Sequence, residues 1–526
     1  MLKDALHTLR EKENLSQEKF AEMIGVSRQA VQKWETGTAV PELSKVVEIS
    51  KCFGVSLDAL VLGRNRRTTL DELNYRDIKP FYENIDDSVF YASNICCEYM
   101  QSVEEGLDIE KYKSLFDAVR KLPKDEIKKD LADVLQKIVI SADTRRGYKY
   151  TEPSTLSEIR ASRKEYPLPK KEPYDLEEKI HGAWMGRICG CMLGKTVEGI
   201  RSSELTPFLK ETGNFPMHRY ILRSDITDEI SKKYNYDFIH RQYADEISGM
   251  PTDDDTNYTV LSQFITDKYG RNFTSDDVSK AWLDCLPKNA CWTAERVAFC
   301  NFVKGYAPPK SAIHKNPYRE MIGARIRGDY WGYINPGDPE KAAEYAQRDA
   351  SVSHVKNGIY GEMFTAAMIA AAAVTSSPEE IILSGLSQIP TASRLYEGIN
   401  EILKYHRSGK SQKDALKCIR SLYDESNFYG WCHTIPNDMI VAMSLLYGGG
   451  DFGKSICMAV ESAYDTDCNG ATVGSVLGMA NGINSIPYEW QEPINDTLHI
   501  SIFGVGTTIK ISDAVKKTMA HIAKKS

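Results

Sequence analysis

The sequence predicts an all-α protein, with a five-helix N-terminal domain, a helical connector and a large all-α domain after it. Three observations lead there. Apolar residues recur at helical spacing along most of the chain. Four runs rich in Ala and Gly, at 182–194, 361–374, 438–446 and 471–483, have the composition of buried helices whose backbones approach closely. Alternating strand patterns are scarce, the one candidate being 498–503. No repeat of about 20 to 50 residues is evident. The expected boundaries are 1–66, 67–173 and 174–512.

Length and composition narrow the classes. At 526 residues the chain exceeds a typical domain of roughly 100 to 200 residues, so several units are expected. The net charge of −7 excludes a protein that coats nucleic acid over its whole surface, and any DNA contact should be local. Twelve cysteines occur without a CxxC pair, as reduced thiols of a cytoplasmic protein would. The N-terminal residues lack the apolar run of a signal peptide. The most apolar stretch, 363–374, is shorter than the roughly 20 residues a membrane helix needs, so no membrane association is expected.

The first 63 residues read as short amphipathic helices. Ser16 is placed to cap one helix, with Leu15 and Phe20 as its hydrophobic staple, and Ser27 to cap the next. Between them Gly25 permits the positive φ of a tight turn, while Ala21 and Val31 occupy the crossing point, the pattern of a helix-turn-helix. The segment 16–37, SQEKFAEMIGVSRQAVQKWETG, resembles the Cro/repressor (XRE) family, and the likeness covers residues 2–63. It implies a double-stranded DNA operator as partner, contacted by Gln17, Ser27, Arg28, Gln29, Gln32 and Lys33, with Val31 and Trp34 facing inward. One such unit reads half a site, so a homodimer is implied.

The basic stretch at 64–69 suits a hinge. Beyond it, residues 80–142 are again helical, and Ile127, Leu131, Val134, Leu135 and Ile138 share one face, which closes either a helical connector or a dimer seam. Prolines at 167, 169 and 173 mark a linker before the large domain.

Asp253, Asp254 and Asp255 are crowded just before an apolar helical run. Three adjacent anions exceed what one helix terminus neutralises at about 0.3 to 1 kcal/mol per interaction, although such a cluster alone equally reads as an exposed cap and turn. A second helix-start cluster, Asp465 and Asp467, makes a shared hard cation the better reading, with Mg²⁺ or Mn²⁺ favoured by oxygen ligands.

These clusters, with GAWMG at 182–186, GKTVE at 194–198 and Ser353-His354 before Gly358, resemble the ADP-ribosylglycohydrolase family, related to dinitrogenase-reductase activating glycohydrolase, over 174 to about 510. The resemblance implies a hydrolase that cleaves the glycosidic bond of ADP-ribose on a protein or small molecule, using one or two Mg²⁺ ions and an activated water. It maps the metal ligands to Asp253, Asp254, Asp255, Asp465 and Asp467, with Asp254 and Asp255 also serving catalysis, and a general acid/base role to Glu198. His354, Arg325 and Arg327 are the expected substrate contacts, the arginines through phosphate. Two departures stand out: Asp253 replaces the family's usual threonine, and Cys468 occupies a position where many relatives place a metal-binding threonine. Two functional readings follow: an active hydrolase coupled to a DNA reader, or a transcriptional regulator whose hydrolase-like domain senses ADP-ribose or a related nucleotide without turnover.

Overall fold

The computed structural model describes residues 2–62, 80–167, 175–504 and 506–524. It is helical apart from a two-stranded antiparallel ribbon, β1 (Thr497–Ile500) with β2 (Thr507–Lys510), in which Leu498 pairs with Ile509. The chain divides into two compact units, 1–81 and 82–526.

The first unit contains α1 (Leu2–Lys12), α2 (Gln17–Met23), α3 (Arg28–Thr36), α4 (Leu43–Phe53) and α5 (Leu57–Leu62). The hydroxyls of Ser16 and Ser27 accept from the backbone amides of Lys19 and Ala30 at 3.1 and 3.2 Å, capping α2 and α3. Gly25 takes φ 62° in the turn. Leu6, Phe20, Ile24, Val31 and Ile49 form the core, and Phe20 stacks on Phe53 at 5.0 Å. Trp34 is buried with them, as expected.

Residues 82–150 belong to the same compact unit as the large domain. Their helices Ile95–Glu104, Lys113–Arg120 and Glu126–Ile140 enclose a small core of Phe90, Ile95, Phe116 and Leu135. Ion pairs fasten it down: buried Arg319 reaches Glu105 at 2.6 Å and Glu98 at 2.8 Å, and Arg296 reaches the half-buried Asp86 at 3.0 Å. The expected apolar face of the last helix divides in two. Leu135 packs inward with Ala132 and Val139, whereas Ile127, Leu131 and Val134 are exposed. Eight apolar side chains on fifteen residues are too many for one stripe.

In the large domain, helices Leu176–Lys195 and Thr466–Asn481 lie antiparallel at backbone contact. Gly182, Gly186 and Gly190 face Gly478, Gly474 and Gly470, and a Cβ added at any of the six would collide with the opposing carbonyl. This pairing brings the C-terminal end of the first helix to the N-terminal end of the second, which is where the acidic residues collect.

Candidate functional site

Lys195 ends its helix and Glu198 follows in the next turn, while Asp465 stands at the residue before the opposing helix, its side chain making no bond to the helix amides. The Thr466 hydroxyl donates to the Gly194 carbonyl at 2.8 Å, locking the two ends together. Just before Asp465, Ala463 and Tyr464 take φ of 62° and 59°, a strained backbone for non-glycine residues. The Tyr464 carbonyl accepts from the Trp431 indole and its hydroxyl donates to Tyr423, so the bend is held from both sides. The third contribution is the N-terminus of helix Asp254–Tyr269, capped by Asp253, whose carboxylate accepts from the Asp255 amide at 2.9 Å.

These elements bring carboxylate oxygens of Asp253, Asp254, Asp255 and Asp467 within 4.8 Å of one another, and those of Glu198, Asp465 and Asp467 likewise. The crowding appears in their protonation. Glu198 is pushed up to about 8, first by the charge on Asp467 and then by burial. Burial raises Asp255 to about 8 against the pull of Arg187. Burial and neighbouring carboxylates push Asp254 and Asp465 well above the ordinary range. Asp253 is the exception: burial pushes it up, but the Lys195 ammonium 2.8 Å away outweighs this and holds it low. Asp467 keeps one buried oxygen, Oδ1, without a hydrogen-bond partner. A cluster of oxygen donors that retains protons and leaves a buried oxygen unsatisfied fits a hard divalent cation, whose charge would replace those protons.

Cys468 lies inside the cluster, and its thiol donates to Asp255 Oδ2 at 3.1 Å. Burial, then the nearby Asp255, keeps it protonated, so it serves Asp255 as a neutral donor. Behind Asp255 stands Arg187, fully buried, which bonds its carbonyl and carboxylate and reaches Asp329 at 2.8 Å. Sequence reading missed both Arg187 and the Lys195–Asp253 pair, although Lys195 sits in the quoted GKTVE motif.

Two cavities meet at Glu198, Asp254 and Trp292. The first, of about 340 Å³, has aromatic walls from Trp292, Tyr318, Phe428 and Trp431, and Ser88 from the 82–150 segment reaches it. The second is bordered by the polar side chains of Lys195, Asn257, Asn289 and Ser501 on one part of its wall and by Pro287, Ala290 and Trp292 on the rest.

Three expected substrate contacts lie elsewhere. Arg325 is fully buried, donating to Asn469 at 2.9 Å with Asp438 3.8 Å away. Arg327 is buried against Glu295 and Asp349, each at 3.0 Å. Their guanidinium groups neutralise internal carboxylates and face neither cavity; Arg327 acts on the site only by fixing Glu295 in its wall. His354 is likewise buried, bonded through Nδ1 to the Ser353 hydroxyl, and burial holds it neutral.

In the first unit, Arg28, Gln29, Gln32 and Lys33 are exposed on one side of α3, and Ser27 is its exposed cap. Gln17 is half-buried at the start of α2, its amide donating to Glu35 at 2.8 Å beside the Arg10–Glu35 ion pair.

Two family profiles match separate segments of the chain. Residues 6–60 match the helix-turn-helix family. An HTH-type transcriptional activator, BcrR, of Enterococcus faecalis is 38% identical over 82 residues, which is 16% of this chain and 40% of that protein. A prophage-derived HTH-type regulator, YonR, of Bacillus subtilis is 34% identical over 73 residues, 14% of this chain and 68% of its own. An uncharacterized protein of Archaeoglobus fulgidus is 23% identical over 325 residues, covering 61% of this chain and 93% of its own. A solved chain from an ADP-ribosylglycohydrolase-related protein complex superposes with a TM-score of 0.40 at 15% identity, over 66% of this chain and 97% of its own. The ADP-ribosylglycohydrolase family profile matches residues 172–520, the two glycine-packed helices and all three acidic segments included, and the chain belongs to that family.

Proposed function

We propose that the protein is a metal-dependent ADP-ribosyl glycohydrolase of the cytoplasm, joined to a reader of double-stranded operator DNA that works as a homodimer. The convergence of Glu198, Asp253, Asp254, Asp255, Asp465 and Asp467 beside the cavities carries this reading. The five aspartates would hold one or two Mg²⁺ ions, with Mn²⁺ as the alternative. A cation bound there supplies positive charge for ribose hydroxyls and makes water more acidic. Glu198, at the junction of the cavities and protonated near neutrality, would donate that proton to the leaving group and take one back from the attacking water. Lys195 holds Asp253 charged, and the Cys468 thiol orients Asp255. The aromatic walls of the first cavity suit a planar base or aglycone, and the polar border of the second suits hydroxyls or phosphate.

Incubation with ADP-ribosylated arginine or serine, with and without Mg²⁺, tests the reading. Metal-dependent release of ADP-ribose is expected, with a loss of at least about a thousandfold in Asp254→Asn. Tight nucleotide binding without turnover on either linkage would replace the enzyme by a sensor.

A further inference from the structure

Among the described residues, the helix Glu126–Ile140 presents the most concentrated solvent-facing apolar row in its neighbourhood. Ile127 is 65% exposed, Leu131 42% and Val134 52%, and Ile138 is half-buried beside them. Single exposed apolar residues are ordinary, but an aligned row on one helix marks an interaction surface. The spacing of this row is four, three, four, the alternation of coiled-coil core positions over two heptads.

We propose that this row is the two-fold seam of a homodimer, in which the helix packs antiparallel against the same helix of a second copy. Two features select that occupant. A four-three-four spacing is the same read in either direction, so antiparallel pairing sets Leu131 against Val134 of the second copy and Ile127 against its Ile138, with every layer filled. The exposed residues flanking the row on its open side are Asp130, which within the protomer meets the exposed end of the neighbouring Lys129 at 2.9 Å, and Lys137; they precede Leu131 and Ile138. Antiparallel pairing brings each Asp130 to the other copy's Lys137, twice by symmetry. Parallel pairing would turn both toward the opposite edge, where Lys128 and Leu135 are already buried in their own protomer.

The helix is prepared for docking. Ala132, Leu135 and Val139 anchor its inner side, and Asp133 pairs with Lys129 on the same helix and with Lys315 of the large domain, so little ordering is left to pay at association. A helix of 15 residues spans about 22 Å, which offers less than the roughly 800 Å² per partner of a standard interface. The dimer is therefore weak and concentration-dependent. The seam deepens the dimer required by the DNA reader, and it is tested apart from DNA and from catalysis.

Sedimentation velocity on the full chain without DNA, from about 1 to 100 µM, should show a reversible monomer–dimer equilibrium. Leu131→Asp with Val134→Asp should abolish it while the hydrolase rate stays unchanged and the melting temperature falls only slightly, since about half of each side chain is exposed in the protomer. Asp130→Lys or Lys137→Asp alone should weaken dimerisation about tenfold, and the double exchange should restore it. A chain that stays monomeric throughout, or a dimer indifferent to the aspartate pair, overturns the proposal; a dimer that the double exchange fails to restore overturns its antiparallel form.

Discussion

The DNA-reading face and the acidic centre solve opposite problems. On α3 the residues offered to a partner lie outside a finished core: Arg28, Gln29, Gln32 and Lys33 are exposed while Val31 and Trp34 hold the helix in place. In the acidic centre the functional groups are themselves the buried contents, and their mutual repulsion is visible in carboxylates that retain protons near neutrality. In the first region the exposed residues and the core are separable; in the second the clustered carboxylates are themselves a cost to stability.

The largest effect that tests this contrast is on the reader. Replacing Arg28 and Gln29 by Ala should abolish specific operator binding in a gel-shift assay, yet change stability by no more than about 0.5 kcal/mol, as for most surface positions. A large loss of stability would show that the face is part of the core after all.

Next is the pH response of the centre. Glu198 and Asp255 sit near 8 in the folded protein, well above the usual carboxylate range in an unfolded chain. The folded state therefore holds more protons across the window from about 4.5 to 8, and without metal its stability should fall as pH rises through that window. Cation affinity should run the other way, strengthening toward pH 8 as those protons leave. Melting curves at pH 6 and pH 8, with chelator and with Mg²⁺, check both signs. A metal-free protein more stable at pH 8 would contradict the crowding argument.

The smallest expected effect is at Cys468. Changing it to Thr replaces a soft donor by a hydroxyl that ligates hard cations, and should tighten Mg²⁺ binding about two- to fivefold. Weaker binding would mean that the thiol's bond to Asp255 matters more than ligand hardness.

The same contrast explains what could be read from sequence. The α3 face and its caps follow from spacings within about twenty residues, so Ser16, Gly25, Ser27 and Val31 were legible. Helices 182–194 and 471–483 were legible by composition, but not that they pair glycine to glycine, because contact between segments nearly 300 residues apart leaves no local trace. Arg325 and Arg327 look like phosphate ligands until Asp438, Asp349 and Glu295 arrive from distant helices to neutralise them. His354 is absorbed in the same way by burial. The bond from Gln17 to Glu35 escaped reading over a shorter range, since it joins two different helices. The helix at 126–140 was legible as a helix, but eight apolar side chains do not reveal which of them meets the core.

The most direct test of the central claim is a calorimetric titration of the metal-free protein with Mg²⁺ and Mn²⁺ at pH 7.5, beside Asp467→Asn. The account predicts saturable binding accompanied by proton release, and binding weakened at least about tenfold in the variant, which removes the charge beside the unsatisfied oxygen. Absence of saturable binding, or equal binding by the variant, would contradict it.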